Sequence, residues 1–296
     1  MDGGRGALTV GVIGLGDIGG GVAHGLARAG IDLVVCDVRP ESVAPFAGRA
    51  RVAGDPAELG RLVDVAAVAV VTDEQVGAVL EGGNGALATM RRGSAVLVLS
   101  TVAPSTLARV AAAAGAAGIA VADCGVSGGP QAAAEGNLVA MVGGGDEVVA
   151  RLVPVLDSFA SLVVHMGELG AGLRAKLARN LVQYGSWLAA YEAQVLAEAA
   201  GIELAKLAEV IRASDVHIGG AARLMFRRSA APFTAQDDAG LVAAMRAAAA
   251  LAHKDLRGAL ELADSLGVDL PLAAMTEARA DALFGVGPEP TAGTAP

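Results

Sequence analysis

Of the 22 basic residues in this 296-residue chain, 19 are arginines and only three, Lys176, Lys206 and Lys254, are lysines. Either side chain supplies a surface charge, but only an amine gives up its proton near neutral pH when its surroundings lower its pKa. Lys176 stands in Gly170-Ala-Gly-Leu-Arg-Ala-Lys176-Leu-Ala-Arg-Asn180. A helix there puts Asn180 one turn further along the same face. A lysine kept in an arginine-rich chain points to proton transfer; a solvated helix lysine is the ordinary alternative, and the surrounding motifs decide between them.

A second group of residues points to a nucleotide. Leu8-Thr-Val-Gly-Val-Ile-Gly14-Leu15-Gly16-Asp17-Ile18-Gly19 is a strand-like run followed by Gly-x-Gly-x-x-Gly and a helical segment. In that order Gly14 permits a tight turn, Gly16 lets the backbone approach a pyrophosphate, and Gly19 lets the helix pack closely on the strand. The helix N-terminus then offers free N–H groups to the phosphates. The next strand-like run ends in Asp37, whose carboxylate can accept hydrogen bonds from both hydroxyls of an adenosine ribose. Asp37 disfavours a 2′-phosphate and therefore favours NAD. Arg39, beyond Val38, would attract one and keeps NADP open. Thr72, Asp73 and Thr101 fall at the ends of later strand-like runs, where open α/β sheets bind ligands, although such residues also cap helices.

A third cluster, Asp123-Cys-Gly-Val-Ser127-Gly128-Gly129-Pro130, follows another strand-like run. Consecutive glycines leave N–H groups open to a small anion such as a carboxylate, with the Ser127 hydroxyl as a further donor. A loop whose glycines only permit turning is the alternative reading.

These residues need a scaffold, and the hydrophobic pattern supplies one. In the first half, strand-like runs at residues 8–13, 33–36, 65–71, 96–99, 120–123 and 139–142 alternate with helical stretches at 19–29, 41–46, 74–80 and 104–114. That alternation predicts a mostly parallel, doubly wound sheet. After about residue 164 the pattern turns to Ala/Leu/Glu/Arg stretches of helical period at 170–200, 203–213, 238–266 and 271–284, with a short helix and irregular loop over 214–237. The predicted organisation is an α/β domain over residues 1–166 followed by an all-helical domain over 167–296. Its tail, 285–296, is too poor in apolar residues to fold.

Composition narrows the partners. A net charge of −9 argues against nucleic acid and anionic membranes, which need a basic face. No uninterrupted apolar run reaches the roughly 18 residues of a membrane span, and the first residues lack the layout of a signal peptide. A soluble, cytoplasmic protein is expected. The two cysteines, Cys36 and Cys124, and the four scattered histidines show no zinc spacing, so no metal is expected.

Taken together, the Gly14-x-Gly16-x-x-Gly19 motif, the Val-Ser-Gly-Gly-Pro stretch at 126–130, Gly170-Ala-Gly-x-x-x-Lys176-x-x-x-Asn180 and Lys254-Asp255-Leu256 resemble the β-hydroxyacid dehydrogenase family. That family includes 3-hydroxyisobutyrate dehydrogenase, tartronate semialdehyde reductase and the related 6-phosphogluconate dehydrogenases. The resemblance spans residues 8–284. It implies a Rossmann domain and an NAD(P)-dependent hydride transfer on a small 3-hydroxyacid. Lys176 would be the general acid/base, and Asn180 would hold the substrate or a catalytic water. Ser127, Gly128 and Gly129 would bind the substrate carboxylate, Lys254 would lie near cofactor and substrate, and the helical domain would pair two subunits.

Some positions depart from the family. Thr72-Asp73 stands where many members have a Pro-Asn type loop, Gln131-Ala132 stands where they have Gly-Ala, and the segment 228–240 is longer. The familiar substrates therefore do not transfer directly. An imine reductase on a related scaffold is the enzymatic alternative, although such enzymes typically lack the lysine. A decarboxylating sugar-phosphate enzyme would need a basic clamp that is not evident, and a non-catalytic NAD(P)-binding protein would be expected to have lost Lys176. Tyr184, Trp187 and Tyr191 continue the Lys176 face at helical spacing. Core packing is the simplest account of them, and a pocket wall or dimer contact the alternative.

Overall fold

The computed structural model describes residues 8–225, 227 and 229–286. It divides into two compact units, one ending at Arg179 and the other starting at Asn180. The first unit is built on an eight-stranded sheet: β1 (Thr9–Ile13), β2 (Asp32–Cys36), β3 (Arg51–Val52), β4 (Val65–Val68), β5 (Ala95–Val98), β6 (Ala120–Ser127), β7 (Leu138–Gly143) and β8 (Ala160–Gly167). Around it lie α1 (Asp17–Arg28), α2 (Pro40–Val43), α3 (Pro56–Leu62), α4 (Asp73–Glu81), α5 (Pro104–Ala116), α6 (Gly129–Glu135) and α7 (Asp146–Leu156). The strand order is β3-β2-β1-β4-β5-β6-β7-β8. Every pairing is parallel except β6 with β7.

Strands β4 and β5 are buried along their whole length, because helices cover both faces, as a parallel sheet requires. Two apolar clusters form the cores of these faces. Val12, Val35, Ala67 and Leu97 belong to one, and Val34, Val68, Val96 and Val98 to the other. The order reverses direction between β1 and β4, which opens a crevice at the carboxyl ends of the strands beside β1.

The doubly wound sheet and the helical second half have the predicted form, while individual elements differ for local reasons. Strand β4 stops at Val68, short of the predicted 71, because the Ser100 hydroxyl accepts a hydrogen bond from Val70 N and donates to Val70 O, at 3.0 and 2.8 Å. Strand β6 runs four residues past the predicted 123 because β7 returns antiparallel beside it, pairing Ser127 with Val139. Edge strand β8 continues through the expected change of pattern at 164. With solvent on its exposed Leu162, Val164 and Met166, it has no clean alternation to read. Helices α3 and α6 have only seven residues each, and α6 begins inside the glycine cluster with Pro130 in its first turn, where proline costs nothing.

Helix α8 (Ala171–Ala199) starts in the first unit and ends in the second. The second unit adds α9 (Leu204–Ile218), a single 3-10 turn at Ala221–Leu224, α10 (Ala239–Leu266), α11 (Pro271–Ala278) and α12 (Ala280–Phe284). Helix α9 therefore extends to Ile218, into the segment read as a short helix and irregular loop, while residues 287–296 of the expected tail lie outside the described residues. Among the described residues, no helix is long and apolar enough to cross a membrane. Helix α11 has no capping side chain of its own. The buried carboxylate of Glu192 supplies the acceptors, taking Leu272 N at 2.7 Å and Ala273 N at 2.9 Å. Replacing Glu192 by Ala leaves two helix-start N–H groups without these bonds. The expected loss of stability in chemical denaturation is about 1–3 kcal/mol.

Candidate active site

The β1–α1 turn has the geometry that its glycines imply. Gly14 sits at φ +89°, and its N–H donates to Cys36 O on β2 at 2.9 Å. A Cβ built on Gly19 would lie 1.9 Å from Gly14 O, so α1 can begin this close to β1 only with glycine at that position. At Gly16 the space is open; the nearest atom to an added Cβ is an Arg39 nitrogen at 4.0 Å. Gly16 is also the N-cap of α1 and carries no side-chain cap, so the first N–H groups of α1 point outward beside Leu15, Asp17 and Ile18. An open glycine cradle in front of an uncapped helix start fits a pyrophosphate.

The adjoining strand end holds Asp37, Val38 and Arg39. The Asp37 side chain is only 6% exposed. Its carboxylate accepts Leu15 N at 2.6 Å and Arg39 N at 2.9 Å, and it pairs with the Arg39 side chain at 3.3 Å. Burial alone would push this carboxyl up, but the bonds from Arg39 and Leu15 hold it below its ordinary value. Val38 is 97% exposed at the end of β2, and Val71 is 85% exposed beyond β4. These two apolar side chains flank the β1 turn in the strand order and could cover the faces of a base. Sequence reading absorbed Val71 into a strand, although the cap it left open at Thr72 follows directly.

The other predicted strand-end residues are braced against one another. Thr72 accepts Gln75 N at 3.2 Å while Gln75 Oε1 accepts Thr72 N at 3.2 Å, a reciprocal cap on α4. Asp73 accepts Ala103 N at 2.9 Å, tying the loop after β4 to the loop after β5. Thr101 on that second loop is exposed. Capping is thus what Thr72 does in the structure, and Asp73 works as a strut between loops.

The lysine sits against the glycine cluster. Lys176 is half-buried on α8, and a Cβ built on Gly125 of β6 would lie 2.5 Å from the Lys176 Cβ. Strand alternation puts Ser127, two residues on, on the same face about 6.8 Å along. Burial, with the Arg179 guanidinium adding to it, lowers the pKa of the Lys176 amine from its ordinary value. Past Ser127 the chain turns through Gly128 at φ +127° and Gly129 at φ +73° into α6, which also lacks a side-chain cap. The glycines therefore permit the turn and leave N–H groups available at its end. Asp123, two residues before Gly125, is fully buried and accepts Gly170 N at 2.5 Å and Leu173 N at 2.6 Å. It was quoted in the motif but given no role by sequence reading.

Asn180 follows Lys176 by one turn on α8. Lys254 lies on α10 in the second unit, exposed, with Asp255 at 3.2 Å. Tyr184, Trp187 and Tyr191 are 60%, 60% and 62% exposed, so core packing is not their role in this chain. Cys36 and Cys124 are buried free thiols, and among the described residues no group of three His, Cys, Asp or Glu side chains is placed to hold a metal.

Comparison with known proteins agrees with this geometry. Residues 9–167 match the model for the NAD-binding domain of 6-phosphogluconate dehydrogenase, and residues 170–287 match the model described as NAD-binding of NADP-dependent 3-hydroxyisobutyrate dehydrogenase. An uncharacterised oxidoreductase of Mycobacterium tuberculosis is 40% identical over 94% of this chain and 93% of its own. L-threonate dehydrogenase of Cupriavidus necator is 38% identical over 69% of each chain. A solved imine reductase from Myxococcus stipitatus superposes with a TM-score of 0.74 over 92% of both chains, but at 19% identity it shares the fold alone. With both family models matched in sequence over the two halves that carry the glycine cradle and the Lys176 helix, the chain belongs to the NAD(P)-dependent β-hydroxyacid dehydrogenase family.

Proposed function

We propose that this protein is an NAD-dependent dehydrogenase of a small 3-hydroxyacid of the 3-hydroxyisobutyrate type. The observation that carries the reading is the packing of the stem of half-buried Lys176 on Gly125, two residues before Ser127 on the same strand. Bound NAD supplies the hydride acceptor. Ser127 and the N–H groups of Gly128 and Gly129 hold the substrate carboxylate and so fix which hydroxyl faces the amine. Neutral Lys176 takes the hydroxyl proton during oxidation, and its ammonium returns it to the alkoxide during reduction. Asn180 orients the hydroxyl from the next turn of the helix. The resemblance alone assigns Lys254 to cofactor and substrate. Retention of Lys176 favours this reading over an imine reductase or a binding protein without turnover.

NAD rather than NADP follows from the Asp37 carboxylate beside the glycine turn, and from Arg39, whose guanidinium is already paired with Asp37. The ratio of kcat/KM with NADH to that with NADPH is expected to exceed one, and Asp37→Asn, which frees Arg39 from its counter-charge, should move the ratio toward NADPH. A native enzyme that prefers NADPH tenfold would reverse the assignment.

Lys176→Ala should lower kcat by roughly 10²–10⁴-fold while NAD binding is retained. In the oxidative direction the wild-type rate should rise with pH along a limb set below the ordinary lysine value, because the neutral amine is the active form, and the variant should lose that limb. A variant with near wild-type kcat sinks the acid/base role.

The exposed stripe of Tyr184, Trp187 and Tyr191 supports a homodimer formed through the helical half. Sedimentation velocity is expected to show a dimer for the wild type and a monomer for Trp187→Glu, with a monomeric wild type as the contrary result.

A further inference from the structure

Helix α8 begins without any capping residue of its own. Its N-cap position, Gly170, has no side chain, and its third residue, Leu173, has no polar side-chain atom. A capping box satisfies those two N–H groups reciprocally, from the side chains of the same two positions. Here one distant carboxylate does both: Asp123 Oδ1 accepts from Gly170 and Oδ2 from Leu173. Asp123 is 0% exposed, so water does not compete for either bond.

The two bonds are one helical turn apart, and they therefore fix both the position of α8 along β6 and its rotation about its own axis. Lys176 is three residues past Leu173 and continues the same stripe. The strand face opposite reads Asp123, Gly125, Ser127 in alternation, so a carboxylate, a gap and a hydroxyl stand in line. The gap receives the Lys176 stem. Gly172 lets α8 lie this low, since a Cβ there would be 2.3 Å from Met141 O on β7 and 2.9 Å from Asp123 Oδ2.

We propose that Asp123 is a positioning residue for proton transfer: by capping α8 from β6 it sets where the Lys176 amine stands relative to Ser127. The proposal rests on Lys176 being the acid/base. Asp123 acts only through the helix and touches no reacting atom. An amide at this position keeps one acceptor and turns its other end into a donor facing a donor, so the helix start is held at one point and free to rotate.

Asp123→Asn, Lys176→Ala and the double variant test it with NAD and a hydroxyacid that the wild type oxidises. Asp123→Asn should lower kcat by about 10²-fold, the cost of a misplacement near 1 Å, with the affinity for NAD unchanged. In the Lys176→Ala background the same change should cost nothing further, because no amine remains to be misplaced. Losses that multiply in the double variant would show a general structural role and overturn the proposal, as would a wild-type kcat in Asp123→Asn. Near wild-type activity of Lys176→Ala alone would instead remove the acid/base reading. Hydrogen exchange on the unaltered protein gives a measurement independent of whether the variants fold. The amides of Gly170 and Leu173 should exchange as slowly as core strand amides, and exchange at the rate of an open helix end overturns the proposal.

Discussion

The placement of Lys176 depends on how closely the start of a helix can approach the backbone of a strand. Where α8 meets β6 and β7, side chains are replaced by glycines at 125, 143 and 172, each too crowded for a Cβ. Backbone then lies almost against backbone. Such an approach strands the first N–H groups of the helix away from water, which is costly unless an acceptor is buried with them. Asp123 is that acceptor, and the antiparallel return of β7 holds its strand in place. The stem of Lys176 is therefore located by main-chain geometry, which varies far less than the rotamers of a long side chain.

The same economy recurs around the crevice. The loop after β4 is held by Asp73 to Ala103 N and by Val70 to the Ser100 hydroxyl, and the glycine turn is held by Leu15 N to Asp37. Each of these loops is bonded to its neighbour by a short polar side chain. Such bracing sets binding groups in place before a ligand arrives and lowers the ordering cost of binding.

Much of this could be read in the sequence, and what could not has identifiable physical causes. Gly14, Gly16 and Gly19 were legible because one conformation satisfies all three, and Lys176 drew attention because an amine in an arginine-rich chain is chemically conspicuous. The period of the long helices survived because packing on one face imposes it. Strand β8 was missed because an edge strand lacks two buried faces. The capping of α4 by Thr72 was open in the sequence as an alternative, whereas the two hydrogen bonds that Asp123 accepts were illegible for another reason. Their donors are chosen by tertiary approach, 47 and 50 residues away. The missing local cap at Gly170-Ala-Gly-Leu173 was visible all along, but an absence names no partner. Exposure of Tyr184, Trp187 and Tyr191 was likewise hidden, because an apolar stripe looks the same whether it meets a core or solvent.

A cap borrowed from so far upstream also orders events during folding. The first turn of α8 has no local means of closing, so a fragment that begins at residue 168 would carry a frayed end there. The turn closes once β6 and β7 have paired, a step that waits on long-range contacts. The start of the helix that carries Lys176 is thus completed only after the strand pair that caps it.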